Sequence, residues 1–251
     1  MKIAIVTGGS NGIGKATALA LGKRGIGVIL TYNSYKDRAE EVVSEIEKNK
    51  GARAVALKLD LTKKETFGTF AAEVKNKLSE IWNRNSFDYL VNNGGVGGPM
   101  TMTDLTDTYF EQILNTNYKG PIFLTKTLLT FMEDNGAIVN TSSSSSNKAF
   151  VGYSIYGSLK AALSSWTKYL ANELAPRKIR VNAVSPGPTH SNFGDGVFDK
   201  YPEFIQPLAA QTAFGRIGLP EDIGNVIVNF LSDDFGWVTA QDIEVSGGHL
   251  L

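Results

Sequence analysis

The 251-residue chain has no cysteine, which excludes disulfides, thiolate nucleophiles and Cys-ligated metal. Histidine is nearly absent as well, with His190 and His249 the only two. Neither stands near a second His or a carboxylate at metal-ligand spacing, so each reads as a loop or terminal residue, with His190 also a candidate to touch substrate. Charge of one sign is missing: 25 Lys and Arg balance 25 Asp and Glu. That leaves no electrostatic footprint for nucleic acid or an anionic membrane. No apolar run approaches the roughly 20 residues of a spanning helix. Met1–Thr7 is too short for a signal peptide. The expectation is a cytoplasmic protein with no nucleic-acid or membrane partner.

Short β-branched runs alternate with longer helix-like stretches. Strands are expected at Lys2–Thr7, Val28–Thr31, Arg53–Leu59, Tyr89–Val91, Ala137–Thr141, Ile179–Ser185 and Ile243–Val245. The first is apolar at nearly every position, as in a parallel strand covered on both faces. Between strands, Arg38–Lys48 repeats Ala39, Val42, Val43 and Ile46 at helical spacing, with Glu and Lys on its other face. Such alternation predicts an α/β fold, a single doubly wound Rossmann domain over residues 1–251, with a seven-stranded parallel sheet and helices on both faces. The rhythm breaks at Pro186–Arg216, rich in Pro, Gly and aromatics, and about 189–216 is expected to be a substrate lid. Its Phe193, Val197, Phe198, Tyr201, Phe204 and Ile205 are apolar enough either to suit a hydrophobic substrate or to close onto the domain.

Thr7-Gly8-Gly9-Ser10-Asn11-Gly12-Ile13-Gly14 follows the first strand and opens a helix at about Ile13–Lys23. A turn without side chains lets backbone approach a pyrophosphate, whose charge then sits at a helix N-terminus. Dinucleotide folds often place an acid at the end of strand two to bind a ribose. Here that position is Tyr32, followed by Asn33 and Ser34, with Lys36 and Arg38 nearby. Nothing there repels a 2′-phosphate, so NADP(H) is expected over NAD(H). The two cations read equally well as solvated helix-start residues. Asp60-Leu61-Thr62 ends strand three, where Asp is a good helix N-cap. Asn92-Asn93-Gly94-Gly95 follows strand four, where Asn and Gly suit a turn.

A Tyr and a Lys four apart share a helix face, and a nearby ammonium lowers a phenol's pKa. The pattern occurs twice, at Tyr32/Lys36 and Tyr156/Lys160. The first falls at the ribose position and is taken as accidental. The second follows strand five and the serine run Ser142–Ser146.

Together these segments resemble the short-chain dehydrogenase/reductase family. The TGxxxGxG turn, the Asn-rich loop, Asn117 in Asn117-Tyr-Lys-Gly120, and Ser143 thirteen residues before Tyr156 occur in the family's order. The Tyr156/Lys160 pair, Ile179–Gly187 and Gln241–Gly248 follow in that order too, over nearly the whole chain. Departures are Gly94 for the family's Ala, Gly-Ser-Leu between Tyr156 and Lys160, and Ser146 for a glycine. The resemblance implies that Tyr156 is the general acid, Ser143 the donor to the developing alkoxide, and Lys160 the group that lowers the Tyr pKa and holds the nicotinamide ribose. Asn117 would hold a relaying water. Cofactor contacts are implied at Gly8, Ser10, Asn11, Gly12, Ile13, Gly14, Tyr32, Asn33, Ser34, Asp60, Leu61, Asn93, Gly94, Gly95, Tyr156, Lys160, Pro186, Gly187, Thr189 and Ser191, with Asp60 on the adenine and Pro186–Ser191 on the carboxamide. A homotetramer is implied too, with Trp166 and Trp237 read as core or subunit contacts.

The implied reaction is reduction of a small-molecule ketone to an alcohol by hydride transfer. The nearest rival is a 3-oxoacyl-[acyl-carrier-protein] reductase, which needs a basic patch for an acidic carrier. Glu133-Asp134-Asn135, read as a helix end, argues against that patch, and Arg177 and Lys178 argue weakly for it. A regulator that binds NADP(H) without catalysis predicts a damaged tetrad, whereas Asn117, Ser143, Tyr156 and Lys160 are all present. Epimerases and dehydratases of the wider superfamily use other glycine spacing, and a serine hydrolase needs a G-x-S-x-G elbow.

Overall fold

The computed structural model describes residues 1–48, 52–191 and 193–251; Asn192, within the expected lid, lies outside the described residues. Among these, seven strands form one parallel sheet in the order β3-β2-β1-β4-β5-β6-β7. The strands are β1 (Ile3–Val6), β2 (Gly27–Tyr32), β3 (Ala54–Lys58), β4 (Phe87–Asn92), β5 (Met132–Thr141), β6 (Arg180–Pro186) and β7 (Asp242–Val245). Helices connect them: α1 (Gly12–Lys23), α2 (Lys36–Glu47), α3 (Phe67–Trp82), α4 (Asp107–Leu114), α5 (Gly120–Leu128), α6 (Ser154–Leu174), α7 (Phe193–Lys200), α8 (Ile205–Ala210) and α9 (Pro220–Leu231). No helix among the described residues is long and apolar enough to cross a membrane.

The two-sided burial expected of β1 follows from its alternation. Ile3 and Ile5 join a core with Phe67, Phe70 and Val74 of α3, Leu124 of α5 and Leu170 of α6. Ala4 and Val6 face the other way, into a core with Leu21 of α1, Val42 and Ile46 of α2, and Ile223 and Ile227 of α9. Phe67 is 1% exposed and fills the first layer. Phe67→Ala is expected to cost about 3–5 kcal/mol through lost burial and the cavity left behind. Urea unfolding checks this, and a loss below about 1 kcal/mol would show that the layer closes over the gap.

Three expectations need correction. Strand β5 begins at Met132, not Ala137, and its pairing with β4 slips from Phe87↔Met132 to Tyr89↔Ala137. The extra residues make a bulge in which Asn135 takes φ +61. Glu133-Asp134-Asn135 is therefore strand rather than helix end, and it is clamped by cations. Arg84 pairs with Glu133 at 3.2 Å, and Arg177 Nε donates to Asp134 at 2.7 Å. Second, the stretch expected to be irregular carries α7 and α8 among its described residues. Helices of eight and six residues fall short of the roughly 11-residue window in which apolar spacing identifies a helix. Third, Asn92 belongs to β4 and is buried, whereas a turn was expected.

Candidate active site

The strand order reverses between β1 and β4, where ligands bind outside the carboxyl ends of the strands. A cavity of about 630 Å³ opens there. Its walls come from the turn after β1, the loop after β4, the serine run after β5 and the segment after β6.

Thr7 holds the first two walls together. Its Oγ1 accepts the backbone N–H groups of Asn93 and Gly94, both at 2.9 Å, and donates to Val91 O at 3.3 Å. Asn93 Nδ2 reciprocates by donating to Thr7 O at 3.0 Å. Gly14 could carry no side chain, because a Cβ there would lie 2.1 Å from Gly8 O. Gly8 and Gly12 take φ +64 and +50. α1 opens with no capping side chain on its first amides and no acid in its first turn. Uncapped N–H groups behind a glycine cradle suit a phosphate, so this feature fits a dinucleotide.

The expected cofactor residues divide by location. Gly8, Asn11, Gly12, Ile13, Asn93, Gly94, Gly95, Pro186, Gly187, Thr189 and Ser191 line the cavity. Ser10 and Gly14 are buried behind it, where they shape the turn. Tyr32, Asn33 and Ser34 lie beyond the cavity at the end of β2, with Asn33 and Ser34 exposed. Lys36 Nζ is held 3.3 Å from Glu40, while the Arg38 guanidinium lies 4.5 Å from the Tyr35 ring centroid. Asp60 does not cap a helix as expected; its Oδ1 accepts from Thr62 N and Oγ1 at 2.9 and 2.7 Å. That local turn is the competing use of a short acidic side chain. Leu61 backs Gly94, with Cδ1 2.8 Å from where a Cβ would stand.

Tyr156 and Lys160 sit in the first two turns of α6 and are both buried. The Tyr156 ring packs between Tyr153 and Phe193, at centroid distances of 6.0 and 5.7 Å. Lys160 Nζ donates to Thr141 O at 2.8 Å and lies 5.6 Å from the Tyr156 centroid. Burial pushes Lys160 down to about 8. Burial also pushes the Tyr156 phenol up; Ser143 opposes that shift, while Tyr153 and Tyr109 add to it. The direction is opposite to the lowering expected from Lys160, whose ammonium is engaged with Thr141 and is not among the causes acting on the phenol.

Among the serines, Ser142 is committed elsewhere: its Oγ donates to Lys160 O at 3.0 Å and bonds Ser164 Oγ at 2.7 Å. Ser143 Oγ accepts from Ser145 N at 3.2 Å, and its residue lines the cavity. Asn117 lies in a π-helical turn, Asn115–Lys119, between α4 and α5. Such turns recur at functional sites because they aim a side chain off the regular helical face. Asn117 Nδ2 donates to Val96 O and Ile113 O at 2.8 and 3.1 Å. Its Oδ1 is buried without a partner among the described residues. A Cβ on Gly95 would stand 2.7 Å from that Oδ1 and 3.7 Å from Lys160 Nζ, so an acceptor and an ammonium flank one gap.

Sequence reasoning passed over the buried polar chain beneath these groups. Asn92 Nδ2 donates to Asn140 Oδ1 (2.9 Å) and Thr125 Oγ1 (3.0 Å), and Asn140 Nδ2 donates to Thr167 Oγ1 (2.9 Å). It fixes α5 and α6 to the ends of β4 and β5. The signal was Asn140, a polar residue directly after the apolar run Ala137–Val139. Conversely, His190 does not line the cavity; it faces Asp199 at 2.9 Å.

Known proteins resemble this chain in sequence and fold. A family model described as enoyl-(acyl carrier protein) reductase matches residues 8–249. A hydroxynaphthalene reductase-like protein of Metarhizium brunneum is 33% identical over 258 residues, covering 98% of this chain and 94% of that protein. The reductase LugOII, described as promiscuous and as catalysing keto-reduction at C1 during lugdunomycin biosynthesis, matches at TM-score 0.94 and 35% identity, over 100% of this chain and 98% of its own. The angucycline C-6 ketoreductase LanV, solved with bound NADP, matches at TM-score 0.93 and 34% identity, over 99% and 95%. Sequence likeness from Gly8 nearly to the C-terminus, on a fold that matches at TM-score 0.94, makes this chain a member of the short-chain dehydrogenase/reductase family of oxidoreductases.

Proposed function

We propose that the protein is an NADP(H)-dependent ketoreductase that takes fused-ring or other hydrophobic ketones, with Tyr156 as general acid. The observation that carries this reading is the convergence of Tyr156, Ser143 and Lys160 on one cavity at the switch point of the sheet. The glycine turn and the α1 amides would hold the pyrophosphate, Asp60 and Leu61 the adenine side, and Asn93–Gly95 with Pro186–Ser191 the nicotinamide half. When bound, the reduced nicotinamide supplies a hydride equivalent.

The chain's own residues supply the rest. Tyr156, kept protonated by burial, donates its proton to the carbonyl oxygen. Ser143 donates a hydrogen bond to the same oxygen as charge develops. With a pKa near 8, Lys160 is charged at neutral pH and stabilises the phenolate left behind. Tyr156 would regain its proton from solvent through Lys160, with Asn117 Oδ1 holding the relaying water on the Gly95 side. Thr189–Arg216 serves as the lid over a cavity with Phe150, Tyr153, Phe193 and Phe198 in its walls, rings suited to a flat apolar substrate. Self-association as a homotetramer belongs to the same proposal: Trp237 is fully exposed and so is not a core residue, and Ile243 on edge strand β7 is also exposed.

The carrier-protein reading loses support at Arg177. Its guanidinium is spent on Asp134 and on the carbonyls of Leu129 and Met132, which leaves Lys178 to face an acidic partner alone. A panel of fused-ring ketones, β-keto esters, acetoacetyl thioester and an enoyl thioester tests the substrate class. Preference for either thioester would move the protein into acyl-chain metabolism, and NADPH binding without turnover on any member would favour a regulator.

Cofactor choice rests on the missing acid after β2. KM is expected to be at least about tenfold lower for NADPH than for NADH. Arg38→Ala is expected to raise the NADPH value about fivefold, the worth of one exposed charge contact, with NADH unaffected. Equal use of NADH by the wild type would overturn the preference.

A further inference from the structure

The last residues of the chain fold back against the cavity. Beyond β7, Gly247 and Gly248 take φ +64 and +75 and reverse the chain direction. His249 then forms an antiparallel bridge with Thr212, just past α8. Leu250 N donates to Gln211 O at 2.9 Å, Phe214 N to Gly247 O at 3.1 Å, and Ala213 N to Gly248 O at 3.2 Å. These bonds fasten the C-terminal segment to the end of the expected lid.

The His249 side chain lines the cavity and is 1% exposed. Its ring stacks on Phe150, which follows the serine run, at 5.8 Å and an interplanar angle of 19°. Nε2 lies 3.3 Å from Gln211 Oε1, which assigns the proton to Nε2 and makes Nδ1 the unprotonated nitrogen. Nδ1 is buried without a partner among the described residues. Burial and the Lys148 ammonium hold the imidazole below its ordinary range, against Glu244, so the neutral tautomer prevails at pH 7. Lys148, also beyond the serine run, donates to the His249 carbonyl and to Glu244 Oε1, the latter at 2.6 Å. One residue therefore touches three segments of the site: the serine loop, the C-terminal segment and the lid.

We propose that His249 is a positioning residue that latches the lid to the catalytic serine loop, through Gln211 on one side and Phe150 on the other. What the latch positions, a ketone beneath Tyr156, rests on the ketoreductase reading. The latch itself does not.

His249→Phe keeps the stack on Phe150 and deletes the donor to Gln211. Gln211→Leu, at an exposed position that tolerates change, deletes the acceptor. Each single variant is expected to raise the ketone KM about tenfold while kcat changes less than about threefold, and the double variant to be no worse than either single, because both remove one shared hydrogen bond. Amide hydrogen exchange on the full chain supplies a readout independent of turnover. Exchange across 205–216 is expected to quicken about tenfold in each variant, with β4 amides unchanged. Additive effects of the two substitutions, an unchanged KM, or faster exchange spread equally over β4 would each overturn the latch. Wild-type protein that reduces no ketone while the variants still loosen 205–216 would sink the ketoreductase reading and leave the latch standing. Active wild type with unaltered exchange in both variants would do the reverse.

Discussion

Tyr156→Phe is expected to lower kcat for ketone reduction at least about a thousandfold, within the range that a positioned proton donor contributes. NADPH affinity should change less than about threefold. The substitution removes one hydroxyl and keeps the ring that packs between Tyr153 and Phe193, so the wall of the cavity persists. Ser143 remains but cannot replace the acid, because an alkanol gives up its proton far less readily than a phenol. Steady-state kinetics beside a fluorescence titration of NADPH check both halves. Residual activity above about a tenth of wild type would remove Tyr156 from the acid's role.

The pH profile follows from the same residues. Burial raises the phenol above its ordinary range, so the acid form persists throughout neutral pH. Reduction should therefore be flat below about pH 8 and decline above it, as Lys160 loses the charge that stabilises the phenolate. Alcohol oxidation needs the phenolate and should rise with pH over the neutral range. A reduction rate that climbs through pH 8 would contradict the assignment.

How much of this was legible in the sequence depends on how local the cause is. Parallel strands buried on both faces announce themselves as unbroken apolar runs, and six of the seven observed strands lie within two residues of the expected ends. β5 escaped at its start because Glu133-Asp134-Asn135-Gly136 is polar. Only the tertiary partners Arg84 and Arg177 make a strand entry of it. Helices α7 and α8 escaped because a clear apolar periodicity needs more length than they have.

At the site, the sequence pointed to residues that the fold brings to one cavity, but it did not show their environment. Thirteen-residue spacing alone selected Ser143, and the physical ground for it is that Ser142 is tied to Lys160 O and Ser164. Four-residue spacing put Tyr156 and Lys160 on one helix face, yet it could not reveal that burial is the largest cause acting on each. Nor could it reveal that Nζ turns to Thr141 O. Thr7 stood inside the glycine motif without a role, since its two amide partners lie 86 and 87 residues away in sequence. His249 was read as a terminal residue because its partners, Phe150 and Gln211, become neighbours only through the fold.

Lys160→Met should separate stability from function most sharply. Turnover is expected to fall at least about a hundredfold, since the phenolate loses its nearby cation. The protein without added cofactor should nevertheless become more stable at pH 7, by up to about 2 kcal/mol. Burial moves Lys160 from 10.5 to about 8, and at about 1.4 kcal/mol per pKa unit the folded state carries a penalty of about 3 kcal/mol for holding the charge. Met fills the space of the lysine stem without that charge. Against this gain, Thr141 O loses its Nζ partner, a buried carbonyl costing about 1–3 kcal/mol when left alone. The sign with pH follows from linkage: between about pH 8 and 10.5 the unfolded lysine holds a proton that the folded one has released. Wild-type stability from this group therefore rises with pH through that window. The variant's advantage should be full at pH 7, narrow by pH 9 and turn into a deficit by pH 10.5, where the neutral wild-type amine still donates to Thr141 O. Paired urea titrations at pH 7 and 10 measure it. A variant less stable than wild type at pH 7, or an advantage that widens toward pH 10, would mean that the ammonium is paid for by interactions beyond Thr141. In that case the site would not hold its charge at the expense of the fold, as a catalytic cation retained for turnover does.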